Sequence, residues 1–188
     1  MNARTTCVLA LLGLFASCAS PEPTYYRLTE VAGAPVRSAA AKGPILVRQV
    51  MLAGYLDRAE IVRSQGDRLL ISPSEQWGEP LGDVVNRVLT SDLAKRMSGR
   101  TVVQGGRLDV DADTVVEVDM RRFDAEPETV TLAAEIAIQE GHPRRLKATK
   151  SIAVREPIAN ASTGAVVDAM SQALGKAADQ IAELVAAR

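Results

Sequence analysis

The sequence predicts an α+β fold, a mainly antiparallel sheet with two helices packed on one face. Three observations carry this. Three segments between residues 114 and 155 alternate apolar and polar side chains with period two, as half-buried strands do. Two other segments repeat apolar residues at three- and four-residue steps, as amphipathic helices do. The chain has 188 residues, of which 47% are hydrophobic and 24% charged, enough for one packed core.

Tyr25 to Leu28 read as a first strand, and residues 32–43, rich in Ala, Gly and Pro, as a loop. Gly43-Pro44 then precedes ILVRQVML, a branched and aliphatic run suited to a buried strand. Glu60–Ser64 and Arg68–Ser72 form two short strands, joined by the turn signal Gln65-Gly66-Asp67. Pro80 suits a helix start, and Leu81, Val84, Val85, Val88, Leu89 and Leu93 make a stripe that ends near Met97 to Gly99. In the strand over 114–123, Val116, Val118 and Met120 share a face opposite Glu117, Asp119 and Arg121. Over 128–139 the apolar face is Val130, Leu132, Ala134, Ile136 and Ile138. Over 145–155 it is Leu146, Ala148, Ile152 and Val154, interrupted by Lys150. Glu140 to Pro143 suits a hairpin between the last two. A helix from Thr163 to about Ala187, capped by Ser162 or Thr163, closes the chain with the stripe Val167, Met170, Leu174, Ala178, Ile181 and Val185.

Chemistry is sparse. The net charge of −1 argues against a nucleic-acid partner. The only cysteines are Cys7 and Cys18 and the only histidine is His142, so a disulfide framework, a Cys-rich zinc site and a two-His metal centre are excluded. Asp109 to Asp113 begin like a calcium loop, but Thr114 and Met120 stand where that loop needs Gly and Glu, so the run reads as a solvated turn. Gly105-Gly106 has no phosphate-loop partner, and Asn160-Ala161-Ser162 is better explained as helix entry than as a glycosylation site. His142 reads as an exposed hairpin residue. No motif calls for a cofactor, and no nucleophile elbow or paired acid supports a hydrolase.

The first residues read as an address. Arg4 precedes an apolar run from Cys7 to Ala16, the pattern of a signal peptide over 1–17 and too short to span a bilayer. FASC, residues 15–18, resembles a bacterial lipobox, with Phe15 in place of the usual aliphatic residue. It implies cleavage after Ser17 and acylation of Cys18; plain secretion with an incidental Cys18 is the other reading. Each buried methylene adds about 0.8 kcal/mol, and two acyl chains already anchor stably. Ala19 after the cysteine, rather than Asp, points to the outer membrane. Residues 18–24 are then the lipidated cysteine and its tether, and 25–188 the folded domain.

Residues 53–81 stand apart. They carry Tyr55 and Trp77 beside Asp57, Arg58, Glu60 and Arg63. Trp77 can cap the core beside the first helix while Asp57 pairs with Arg58 or Arg63. Aromatics and arginines are also what binding surfaces favour, and both readings can hold together.

In order, the chain shows a lipobox and tether, YYRL, GPILVRQVMLAGYLDRAEIVRS, QWGEPL, the helix DVVNRVLTSDLAKRM, and VVEVDMRRFDAE ending a strand in Arg-Phe-Asp. This order resembles the ABC-type transport auxiliary lipoproteins of the PqiC-like group, over nearly all the mature chain. The resemblance implies a non-enzymatic, periplasm-facing lipoprotein on the inner leaflet of the outer membrane. It would work with an MCE-domain protein of a lipid transport assembly between the two membranes and support membrane integrity. Tyr55, Leu56, Asp57, Arg58 and Trp77 are the candidate docking residues, and Cys18 is the membrane anchor. A lipid-binding carrier, with an acyl chain held between helices and sheet, is the alternative. The sequence leaves a homo-oligomer open.

Overall fold

The computed structural model describes residues 22–36, 43–106 and 110–187. Among the described residues, nine strands form one sheet, and two α-helices pack with it. The long strands are β7 (Thr114–Ala125), β8 (Thr129–Glu140) and β9 (Arg145–Pro157), paired antiparallel in succession as their alternation predicts.

The other edge of β7 carries three short strands in turn. β2 (Ile45–Val47) lies beside Thr114–Val116, β3 (Met51–Leu52) beside Asp119–Met120, and β4 (Glu60–Gln65) touches β7 at Ala125. All three run parallel to β7. Further parallel pairs join β2 to β6 (Val102–Gln104) and β1 (Thr24–Tyr26) to β5 (Arg68–Trp77), while β4 and β5 form an antiparallel hairpin. The sheet is therefore mixed, and the expected mainly antiparallel sheet is corrected. The α+β class stands. The reason is physical: the chain from β2 to β4 travels one way along β7, so the run ILVRQVML is two strands broken at residues 48–50. Period-two alternation reports which face is buried and carries no information on strand direction.

Helix α1 (Leu81–Arg96) begins one residue after Pro80, and α2 (Thr163–Ala186) is capped by Ser162, whose hydroxyl accepts from Ala165 N at 3.2 Å. α2 packs on β7, β8 and β9 and against α1, which also contacts β6. One core joins the inner face of the sheet to both helices, through residues such as Val118, Leu132, Ile136, Val88, Leu93, Met170 and Leu174. The opposite sheet face is polar: Glu117 meets Arg48 and Gln139, and Glu135 meets Arg121 and Ser151.

Leu146 departs from its expected face. The β8–β9 register shifts between Ile138 and Gln139, so that Ile138 faces Ala148 and Gln139 faces Leu146. Lys147 is the extra residue, and Leu146 is turned outward, 63% exposed.

The segment after the first strand, read as a loop from residue 32 to 43, does structural work where it is described; residues 37–42 lie outside the described residues. Residues 28–36 form an extended strap across α1 and α2. Leu28 is buried, Thr29 N donates to Ser171 Oγ of α2 at 3.1 Å, and Val31 N donates to Asp92 Oδ1 of α1 at 2.8 Å. Arg96, wholly buried, donates to Val31 O and Asp92 O and meets Asp179 of α2 at 2.5 Å. Gly33 lies so close to that guanidinium that a Cβ would fall 2.3 Å from its Cζ, and a Cβ on Gly175 would strike Val31 at 2.7 Å. Glycine at both places lets the strap seat.

Candidate functional site

The chain leaves β3 through a single 3-10 turn, Gly54–Leu56. Leu56 closes that turn by burying its side chain in the core, at 1% exposure. Anchoring the turn there pushes the next residues, Asp57 and Arg58, outward. They face the end of β5, where Trp77 N donates to Ala59 O at 2.7 Å and Gly78 N donates to Tyr26 O at 2.8 Å. Trp77 is itself buried and so forms a rigid base.

Between these segments lies a groove of about 460 Å³. Tyr25, Asp57, Arg58, Gln76, Trp77 and Glu79 line it, with Leu81 at the start of α1. The groove offers one cation, two carboxylates and two aromatic rings. Arg58 and Asp57 enter no ion pair among the described residues, whereas Glu79 is bound to Arg87. The expected pairing of Asp57 with Arg58 or Arg63 is therefore not formed. Arg63 instead meets Glu75 and donates to Thr163 Oγ1 at 2.6 Å, tying the β4–β5 hairpin to the start of α2.

The five candidate residues thus divide. Asp57 and Arg58 stand in the groove with Trp77, while Leu56 supports them from the core. Tyr55 points elsewhere, to the Arg122-Phe123-Asp124 end of β7. Burial pushes its hydroxyl pKa up, as does the nearby Asp124 carboxylate, while a hydrogen bond from the Phe123 backbone works against them. Arg122 donates to Asp124 at 2.7 Å and pairs with Glu126 at 3.0 Å, contacts that hold its guanidinium charge in place. Two stretches far apart in sequence therefore meet through Tyr55. Tyr25, Gln76 and Glu79 are groove residues that sequence reasoning missed; the position of Tyr25 beside Gln76 depends on the parallel β1–β5 pairing, which no local signal announces.

His142 is exposed in its hairpin, 3.4 Å from Asp111. No group of three metal-ligating side chains forms among the described residues. No described helix is long and apolar enough to cross a membrane. Cys18 and the leader lie outside the described residues.

Residues 26–182 match the model of one protein family, described as the ABC-type transport auxiliary lipoprotein component. The chain belongs to that family. Its match begins at the last residue of β1 and runs through most of α2, so the strap, the groove apart from Tyr25, and strands β2 to β9 fall inside it. Among solved structures, protein XCC0632 from Xanthomonas campestris is 19% identical, with a TM-score of 0.71 over 87% of this chain and 94% of its own. A second crystal structure, of an uncharacterised protein, is 17% identical, with a TM-score of 0.73 over 87% of this chain and 99% of its own. Both likenesses establish the fold. No curated protein matches the chain. As an auxiliary lipoprotein component, the protein belongs at the cell envelope, in the service of a transport system.

Proposed function

We propose that this auxiliary lipoprotein is held by Cys18 in the inner leaflet of the outer membrane and docks an MCE-domain protein there. It would fix one end of a lipid conduit between the two membranes, without catalysis. The groove at Asp57, Arg58 and Trp77 carries the docking assignment. It combines a rigid aromatic base with two charged side chains, Asp57 and Arg58, that enter no ion pair among the described residues. A partner gains most from such groups, because they lose no existing ion pair on binding. Tethering adds to this by raising the effective concentration of the body near its partner.

The packing supports an adaptor over a lipid carrier. Val166, Met170 and Leu174 of α2 are at most 1% exposed, as are Val130, Leu132 and Ile136 of the sheet beneath. That leaves little room for an acyl chain between them.

Capture of the MCE partner by the lipidated protein tests the groove. Charge reversal with Asp57→Arg plus Arg58→Glu should lower capture at least about tenfold, the ordinary scale of a disrupted hot spot. Capture at the wild-type level from a folded variant would remove the groove as the docking site. Incorporation of labelled palmitate, abolished by Cys18→Ser, tests the anchor separately.

A further inference from the structure

The β4–β5 hairpin ends in an apolar run that the fold leaves uncovered. Leu69, Leu70 and Ile71 are 45%, 47% and 39% exposed. They follow the turn at Gln65–Arg68, which is exposed throughout. Pairing of Ser64 with Leu69 and of Arg63 with Leu70 places Leu69 and Ile71 on one face of the ribbon and Leu70 on the other. The tip is therefore apolar on both sides. A flat protein partner could cover only one of them, whereas a lipid interface can surround both.

The direction of β1 supplies the occupant. β1 runs parallel to β5, with Thr24 beside Glu75 and Tyr26 beside Trp77. The chain thus enters β1 from the end of β5 that begins at Arg68. Thr24 is six steps along the chain from Cys18, a reach of about 20 Å at full extension. Glu75 is likewise six steps from Leu69, about 20 Å of strand. Cys18 can therefore lie level with the hairpin tip.

The geometry points to a second membrane contact: the tip Leu69–Ile71 enters the interface of the bilayer that holds the Cys18 acyl chains. The inference rests on the reading of Cys18 as the anchor. Two contacts instead of one fix the tilt of the body. They also turn the groove, at the opposite end of β5, away from that membrane and toward whatever approaches from the other side.

The test uses the lipidated mature protein on vesicles of phosphatidylethanolamine and phosphatidylglycerol. Apart from Cys7 and Cys18 the chain has no cysteine. A single introduced thiol can therefore carry a polarity-sensitive fluorophore at Leu70→Cys, with Asp67→Cys as a second tip position that keeps every apolar side chain. Glu183→Cys, exposed near the end of α2, is the reference. Both tip probes should shift to the blue on vesicles and be quenched by brominated lipid, and the reference should do neither. Flotation compared with that of Cys18→Ser reports the anchor, so protein that fails to float, or floats equally without Cys18, overturns the Cys18 reading. Protein that floats with tip probes as water-exposed as the reference overturns the tip contact alone. A blue shift that needs no vesicles and grows with protein concentration assigns the tip to a second copy of the chain, and also overturns it.

Discussion

At the scale of single residues, the polar groups beneath the strap decide most. Asp92 has no exposed side-chain surface; one carboxylate oxygen accepts from Val31, and the other is buried with no partner. Burial pushes its pKa up, against the pull of the Val31 amide and the charge of Arg96. A carboxyl group whose pKa is higher folded than unfolded binds more protons in the folded state between the two values. Its contribution is therefore present at acid pH and declines as pH rises through the folded pKa. Asp92→Asn keeps an acceptor for Val31 and removes the titration. Urea unfolding followed from the ordinary carboxylate range up to neutrality should show a smaller loss of stability for Asp92→Asn than for wild type. Equal pH profiles would rule out Asp92 as the source. The sequence offered only a faint trace of this: Asp92 and Arg96 stand four residues apart beside the stripe of Leu89 and Leu93. A charged pair there reads as a solvated face until a second segment is laid across it.

At the scale of elements, the long strands and both helices were legible because each has a face in water and a face in the core. Where a bulge intervenes, the pattern misleads. Leu146 fits the apolar alternation of β9 up to the shift at Lys147, after which it faces outward. Leu146→Thr should change stability by no more than about 0.5 kcal/mol, as exposed sites do. Leu132→Ala, on the inner face of β8 and wholly buried, should cost about 2–5 kcal/mol. Denaturant midpoints of the two variants compare them directly, and a large loss for Leu146→Thr would contradict the outward placement. The short strands were harder to read. β2 and β3 hold three and two residues, and pairing with β7 rather than any local pattern makes them strands.

At the scale of the whole molecule, the candidate site was half legible. Asp57, Arg58 and Trp77 drew notice by composition and do share a groove. Tyr55 drew notice for the same reason but serves the end of β7, because its backbone turn places it on the other side of Leu56. Tyr25 joins the groove only through strand pairing across fifty residues of chain. The filled core carries a further expectation. Native mass spectrometry of residues 22–188 should find no phospholipid bound in a fixed ratio. A stoichiometric lipid would restore the carrier reading.

The strap and β1 also set how the molecule bears load. Tension entering at Thr24 from the tip's side acts along the axis of β1, so its rungs to β5 share the force instead of opening one at a time. What passes them reaches Val31 and Gly33, wedged between two helices by Asp92, Arg96 and Gly175. A pull on the N-terminal end of the body is thereby met by a buckle in its interior, and the two helices beyond it keep their seat.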